Sequence, residues 1–263
     1  MILRCQSRLL RAAALTLAVV TCAVALASAA HAQGGRGRGR QPDVLPNAPY
    51  DGRYTFVRIK YDIPSGGGFR GQDIKWAHDY PRGERHFTKI FSELSSARVR
   101  TTVSNILTLD DPELTRYPVA YMAEPGFWRP TDAEAAGLRN YLTKGGFIIF
   151  DDFAGEHWFN FESQMKRVLP KAKLVPLTLK HPIFDSFYRI KSLDYTHPYY
   201  GLKAVFYGIF EDNDESRRLL AIANYNNDMS ELWEFSDEGM FPLDMSNEAY
   251  KLGVNYIIYA LTR

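Results

Sequence analysis

Cysteine is almost missing from this chain: its 263 residues include two, Cys5 and Cys22, and both lie within the first 32 residues. We expect that segment to be removed, so the mature chain has no cysteine. This absence excludes disulfides, thiolate nucleophiles and cysteine-ligated metal sites. The mature domain must be held together by its hydrophobic core, and about 210 residues are enough to form one.

An excess of basic residues is also lacking outside the N-terminal segment. Residues 1–40 carry six arginines and no acidic residue, whereas the rest of the chain has 26 basic and 30 acidic residues. The net positive charge of the whole chain therefore comes from its N-terminal segment. No basic patch for nucleic acid remains, and we expect no nucleic-acid partner.

The N-terminal segment has the three parts of a secretory signal peptide. Three arginines precede an almost unbroken apolar run over residues 12–30, and Ala30-His31-Ala32 has the small-x-small pattern that signal peptidase cleaves. We predict a signal peptide over residues 1–32, cleavage after Ala32, and a periplasmic or secreted protein with no membrane span left. The alternative is an uncleaved anchor, because the apolar run approaches the roughly 20 residues that cross a bilayer.

The remaining chain divides into a linker and one domain. Residues 33–52 begin with QGGRGRGR and continue with spaced prolines, which predicts a flexible linker. Residues 53–263 alternate between strand and helix patterns. Strands are predicted at 54–61, 118–123, 147–150, 174–177, 204–210 and 219–225, and helices at 84–97, from the cap Thr131 to Gly145-Gly146, at 158–168 and at 247–261. The alternation predicts a single three-layer α/β domain with a mostly parallel, open sheet.

Several stretches of the domain resemble a known bacterial family. They are FVRIKYD, WAHDYPRGERHF, LDDPEL, YPVAYMAEPGFW, LRNYLTKGGFIIFDDF, HPIFDSFYRI and YKLGVNYIIYALTR. Together they resemble domain of unknown function 4159, over nearly all of residues 53–263. The resemblance implies a flavodoxin-like fold similar to class I glutamine amidotransferases and to trehalose-utilisation-protein-like domains. It implies no established reaction.

The resemblance also indicates where to look for chemistry. In amidotransferase-like folds a nucleophilic cysteine follows a central strand, and the corresponding strand here is 147–150. The segment GGFIIFDDFAGEHWF places Asp151 and Asp152 on the expected turn. Thiol chemistry is therefore excluded, whereas a carboxylate or metal mechanism is not. Trehalose-utilisation-like relatives tend to have a histidine near this turn, for which His157 is the candidate.

Acidic residues follow three of the predicted strands: Asp62, Glu124 and the pair Asp151-Asp152. Ligands of open parallel sheets bind beyond the carboxyl ends of the strands, so we expect these carboxylates to lie near one another. Such a cluster needs a cation, a bound proton or arginine partners. One interpretation is a divalent-cation site formed by Asp151 and Asp152, with His157 favouring a transition metal.

Three other interpretations remain for the same residues. The carboxylates would bind the hydroxyls of a carbohydrate while Trp128, or another tryptophan, stacks on the sugar. Asp151, Asp152 and His157 would alternatively act as a catalytic acid–base set. In the simplest interpretation an aspartate at this junction caps the next helix and complements its dipole.

The segment WAHDYPRGERHF provides a second group of candidates. His78, Asp79 and His86 crowd a loop that leads into a helix, and we predict a ligand-binding role for them. Their spacing matches no standard metal motif, and a solvated loop with local ion pairs is the alternative.

These patterns favour an exported domain that binds a ligand or partner in an acidic cleft. The expected ligand is a carbohydrate or an envelope protein, and a divalent cation is the possible cofactor. The alternatives are a carboxylate- or metal-dependent hydrolase or isomerase and a non-catalytic envelope scaffold. The substrate, the metal and the oligomeric state are not indicated by the sequence.

Overall fold

The computed structural model describes residues 43–63, 74–197 and 199–263. The predicted signal peptide, its cleavage after Ala32 and the first part of the predicted linker lie outside these residues. The strands are β1 (Val57–Ile59), β2 (Asn105–Leu107), β3 (Val119–Ala123), β4 (Phe147–Phe153), β5 (Val175–Pro176), β6 (Val205–Phe210) and β7 (Leu219–Tyr225). The α-helices of the described part are α1 (Arg82–Leu94), α2 (Asp132–Thr143), α3 (His157–Val168), α4 (Met229–Glu234) and α5 (Leu243–Thr262).

The strands form one open sheet in the order β2-β1-β3-β4-β7-β6-β5. The first five strands of that order are parallel, and β6 and β5 extend the sheet with antiparallel pairing. The predicted mostly parallel sheet is therefore confirmed. Since β1, β3, β4 and β7 are parallel neighbours, their carboxyl ends meet at one edge, which we call the carboxyl edge.

Helices cover both faces of the sheet and give the three layers. On one face α1, α4 and α5 pack on the sheet through side chains such as Phe87, Trp233 and Leu252. On the other face α2 and α3 do so through side chains such as Leu138 and Phe161. Strands covered on both sides are apolar at successive positions, and every residue of β3 is buried.

Local sequence signals account for the ends of several elements. Thr131 caps α2, and Glu134 completes the predicted capping box. Helix α1 begins two residues earlier and ends three residues earlier than predicted, because Ser95 is already extended. Strand β1 is shorter than predicted, with Tyr54 making only an isolated bridge to Val99.

Three further features differ from the sequence-based prediction. Strand β4 continues through Phe153, so Asp151 and Asp152 lie within the strand and not on a turn after it. Strand β2 and helix α4 were not predicted, since runs of three and six residues are too short for periodicity to reveal.

Within the described part of the chain no helix has the length and hydrophobicity needed to cross a membrane.

Candidate functional site

Three acidic residues at the carboxyl edge have left-handed backbone conformations. Asp79 has a φ of 62°, Glu124 a φ of 46° and Asp152 a φ of 59°. A non-glycine residue in this region costs free energy, of order 1–3 kcal/mol, and persists only where its surroundings fix it. Such residues cluster at functional sites, and these three belong to separate elements that meet at one place.

His78 lies between two of these acids. Its Nδ1 is 2.6 Å from Glu124 Oε1 and 3.3 Å from Asp152 Oδ2. One ligand atom from each of the three residues lies within 4.8 Å of the other two. We call His78, Glu124 and Asp152 the histidine cluster. Their side chains are 13%, 8% and 13% exposed, so the cluster is sheltered but reachable from solvent.

The surroundings of the histidine cluster are strongly acidic. Burial, followed by the charge of Glu124, raises the pKa of Asp152 to about 7. Lys75 offsets part of the charge, because its Nζ lies 3.1 Å from Glu124 Oε1. The other carboxylate oxygen, Glu124 Oε2, is buried and has no hydrogen-bond partner within the described residues. A buried anionic oxygen without a partner is costly, and a cation would satisfy it.

Asp151 has a different environment from its neighbour Asp152. It is fully buried and accepts hydrogen bonds from Tyr121 Oη at 2.9 Å and Asn224 Nδ2 at 3.0 Å. It also accepts from the backbone N–H groups of Met229 at 2.9 Å and Ser230 at 3.2 Å. Burial raises the pKa of Asp151 to about 6. Asp151 therefore anchors the N-terminus of α4 from the central strand and has no open side for a ligand.

A second acidic group lies beside α4. Asp79, Asp228 and Glu231 are all buried, and one oxygen from each lies within 4.8 Å of the others. Asp228 caps α4 by accepting from Glu231 N at 3.0 Å, and Ser230 Oγ donates to Asp79 at 2.6 Å. Burial, then the charges of Asp152 and Asp79, raises the pKa of Asp228 well above its usual value.

Sequence reasoning missed Asp228 and Glu231 because it missed α4. A usable signal was present, since an aspartate followed three residues later by a glutamate is typical of a helix N-terminus.

Arg58 on β1 positions the loop that carries His78. Its Nε and Nη2 form a bidentate pair with Glu84 at 3.0 and 2.8 Å, fully within the core. Its Nη1 donates to the carbonyls of Trp76 at 3.1 Å and His78 at 2.9 Å. One buried guanidinium thus connects α1, the sheet and the backbone of the histidine cluster.

The other predicted site residues lie outside the histidine cluster. Asp62 is exposed and forms none of the described contacts with it. His86 is on α1, where its Nδ1 lies 2.9 Å from the carbonyl oxygen of Trp233. Trp128 is fully buried, with its ring 6.2 Å from that of Phe150, so it offers no face to a sugar.

His157 lies near the cluster without joining it. It begins α3 and packs against Phe127, with ring centroids 4.6 Å apart. This approach requires glycine at position 126, because a Cβ there would lie 2.3 Å from the Cβ of His157. Burial lowers the pKa of His157, and the charge of Glu124 opposes that effect. The structure thus brings together His78, Glu124 and Asp152, with Asp79 in the adjacent acidic group.

The chemistry of the histidine cluster is that of an open metal site or an acid–base centre. One imidazole nitrogen and two carboxylates suit a divalent ion such as Mn²⁺ or Zn²⁺. Three protein ligands leave positions for water or substrate, which is typical of catalytic rather than structural sites. The same groups are within proton-transfer distance of one another.

Comparison with known proteins gives a family and no activity. The model of the family described as "Domain of unknown function (DUF4159)" matches residues 55–261. No curated protein matches the chain.

Proposed function

This chain belongs to the DUF4159 family, and from the geometry of its carboxyl edge we propose that it is a divalent-cation-dependent hydrolase. The observation that carries the proposal is the histidine cluster: an imidazole nitrogen and two carboxylates from separate elements converge within 4.8 Å. We propose His78, Glu124 and Asp152 as the ligands. A divalent ion held there would polarise a substrate and lower the pKa of a bound water.

The charges around the cluster support a cation at this place. Burial, and then the charge of Glu124, raises the pKa of Asp152 to about 7, and the acidic group of Asp79, Asp228 and Glu231 lies beside these two residues. Lys75 Nζ lies 3.1 Å from Oε1 of Glu124, whereas the buried Oε2 has no hydrogen-bond partner within the described residues and is available to an ion. The site thus holds more buried carboxylates than its neighbouring cations balance.

We also propose that the protein is exported, as its N-terminal sequence suggests, and that it acts in the cell envelope. The support is the apolar run that ends in Ala30-His31-Ala32. N-terminal sequencing of the protein recovered from a periplasmic extract tests this, and a chain that begins at Gln33 is the expected result.

A second candidate is ligand binding without a metal or turnover. The Lys75–Glu124 ion pair at 3.1 Å favours it, because an ammonium group already neutralises one carboxylate of the cluster. In that case the carboxylates would accept hydrogen bonds from a ligand directly.

Calorimetric titration of the metal-free protein with Mn²⁺ and Zn²⁺ separates the two candidates. We expect one ion per chain at the histidine cluster, with affinity reduced at least tenfold in Asp152→Asn. The matched control is Asp62→Asn, which removes an exposed carboxylate outside the cluster and should bind the metal as the wild type does.

Hydrolysis is tested with chromogenic glycosides, esters and phosphoesters, with and without the bound ion. We expect turnover of one class that requires the ion and is lost in Asp152→Asn. The absence of metal binding, or equal binding by the wild type and Asp152→Asn, would contradict the proposed centre. Metal binding without any turnover would leave a metal-supported binding domain and refute the hydrolase.

A further inference from the structure

A groove lies between the segment 191–196, Leu232 of α4 and the first three turns of α5. It has a volume of about 440 Å³, and Asn227 also lines it. This size falls within the ~300–1,000 Å³ range of small-molecule sites. The groove adjoins the acidic group along the chain, because Asn227 directly precedes Asp228 and Leu232 directly follows Glu231.

The lining of the groove combines hydroxyl, amide and carboxylate groups with a larger apolar surface, supplied by residues such as Tyr195, Leu232 and Met245. Ser192, Thr196 and Asn227 supply groups that both donate and accept hydrogen bonds. Asp194, Asp244 and Glu248 supply acceptors, whereas Lys191 is the one cation in the lining of this groove. This composition disfavours an anionic ligand and suits a neutral one that has both apolar faces and hydroxyl groups.

Two exposed tyrosines, Tyr199 and Tyr200, follow the groove-lining segment 191–196 along the chain. Tyr199 donates its hydroxyl hydrogen to Glu231, and its ring lies 6.0 Å from that of Phe241, shortly before the start of α5. Tyr200 packs on one side against His197, with ring centroids 4.5 Å apart, and is 63% exposed. Tyr199 is 47% exposed. Adjacent exposed aromatic side chains are typical of a binding surface.

We propose that this groove and the tyrosine pair bind a neutral oligosaccharide and present it to the histidine cluster. The role of the oligosaccharide as a substrate rests on the proposed hydrolase function, whereas its binding to the groove does not. Stacking on Tyr199 and Tyr200 would bury the apolar faces of sugar rings, and the groove lining would bond their hydroxyls. The groove is concave and mainly apolar with a few hydrogen-bonding groups, which fits a small ligand better than the flatter core of a protein interface.

The test uses the full-length protein and three neutral probes: maltotetraose, cellotetraose and chitotetraose. Binding is followed by calorimetry, with tetragalacturonic acid as the anionic comparison. We expect saturable binding of at least one neutral probe, weaker binding of the anionic one, and at least a tenfold loss of affinity in Tyr200→Ala. Phe159→Ala is the matched control, because Phe159 is an exposed aromatic on α3, at 70%, and should bind as the wild type does.

The result that overturns the proposal is binding of none of the neutral probes, equal affinity in Tyr200→Ala, or tighter binding of the anionic tetramer. The same sugar titrations are repeated with Asp152→Asn, which should still bind the neutral probe because the groove does not depend on the metal. They therefore separate a failure of the groove from a failure of the metal centre. Binding of the sugar without binding of a metal would contradict the hydrolase and support the groove as a sugar-binding site. Binding of a metal without binding of a sugar would contradict only the proposal that the groove binds sugars.

Discussion

Asp151 and Asp152 are adjacent in the chain, but their carboxylates perform different tasks because side chains alternate across a strand. Asp151 points to the face covered by α4, where four donors reach it. Asp152 faces His78 on the loop before α1. The pair therefore combines an anchor with a candidate ligand, and substitutions at the two positions should affect different properties.

Arg58→Lys tests how the histidine cluster is positioned. A lysine keeps one positive charge beside Glu84 but cannot hold Glu84 and the carbonyls of Trp76 and His78 together. We expect the free energy of unfolding to fall by roughly 2–5 kcal/mol and Mn²⁺ affinity to fall as well. Arg53→Lys is the control, since Arg53 forms an exposed pair with Asp51 and should leave stability almost unchanged. Unchanged metal affinity in Arg58→Lys would refute the positioning role.

His197 makes stability depend on pH. It is buried, its Nδ1 accepts from the backbone N–H groups of Tyr199 and Tyr200, and burial lowers its pKa from 6.5 to about 4. The unfolded chain takes up a proton first as the pH falls, so this stabilisation is complete above pH 6.5 and is lost towards pH 4. His197→Asn keeps an acceptor without titrating. In urea unfolding at pH 8, His197→Asn should have a lower free energy of unfolding than the wild type, and this difference should shrink by up to ~3 kcal/mol at pH 4. A difference that is the same at both pH values would contradict the assignment.

At the scale of elements, α4 depends on its neighbours. A helix of six residues is not stable alone, and its first N–H groups bond to Asp151 of β4 and to its own cap Asp228. This explains why periodicity did not reveal α4, and why Asp228 and Glu231 escaped the sequence analysis. The acidic group beside the site is assembled by tertiary contacts.

Asp151→Ala tests that dependence. It removes the acceptor of four buried donors, so we expect a loss of roughly 2–5 kcal/mol in the free energy of unfolding. The amides of residues 229–234 should also exchange faster with deuterium. Asp132→Ala removes a fully exposed aspartate paired with Arg167 and should leave the free energy of unfolding almost unchanged. Equal losses in the two variants would show that Asp151 is not the anchor of α4.

At the scale of the whole molecule, the sequence was informative where signals are local or repeated. The capping box of Thr131 and Glu134 predicted α2, and the apolar run 147–150 predicted β4. The alternation of strands and helices then predicted the parallel sheet. The same topology explains why Glu124 and Asp152 lie together: β3 and β4 are parallel neighbours. Which aspartate faces the site depends on where β4 ends, and that is determined by its pairing with β7, including the bulge between Phe150 and Phe153.

The proposed cation would link parts of the domain that are far apart in sequence, namely the loop before α1, the end of β3 and the end of β4. An ion that binds only the folded chain stabilises it by about 2.7 kcal/mol at a free concentration of 100 times Kd. For a domain of this length that corresponds to a rise in Tm of roughly 5–10 °C. We therefore expect Mn²⁺ or Zn²⁺ to raise the Tm of the wild type and of Asp62→Asn, and chelator to reverse the rise. Asp152→Asn should show no rise, and an equal rise in all three proteins would place the ion elsewhere on the molecule.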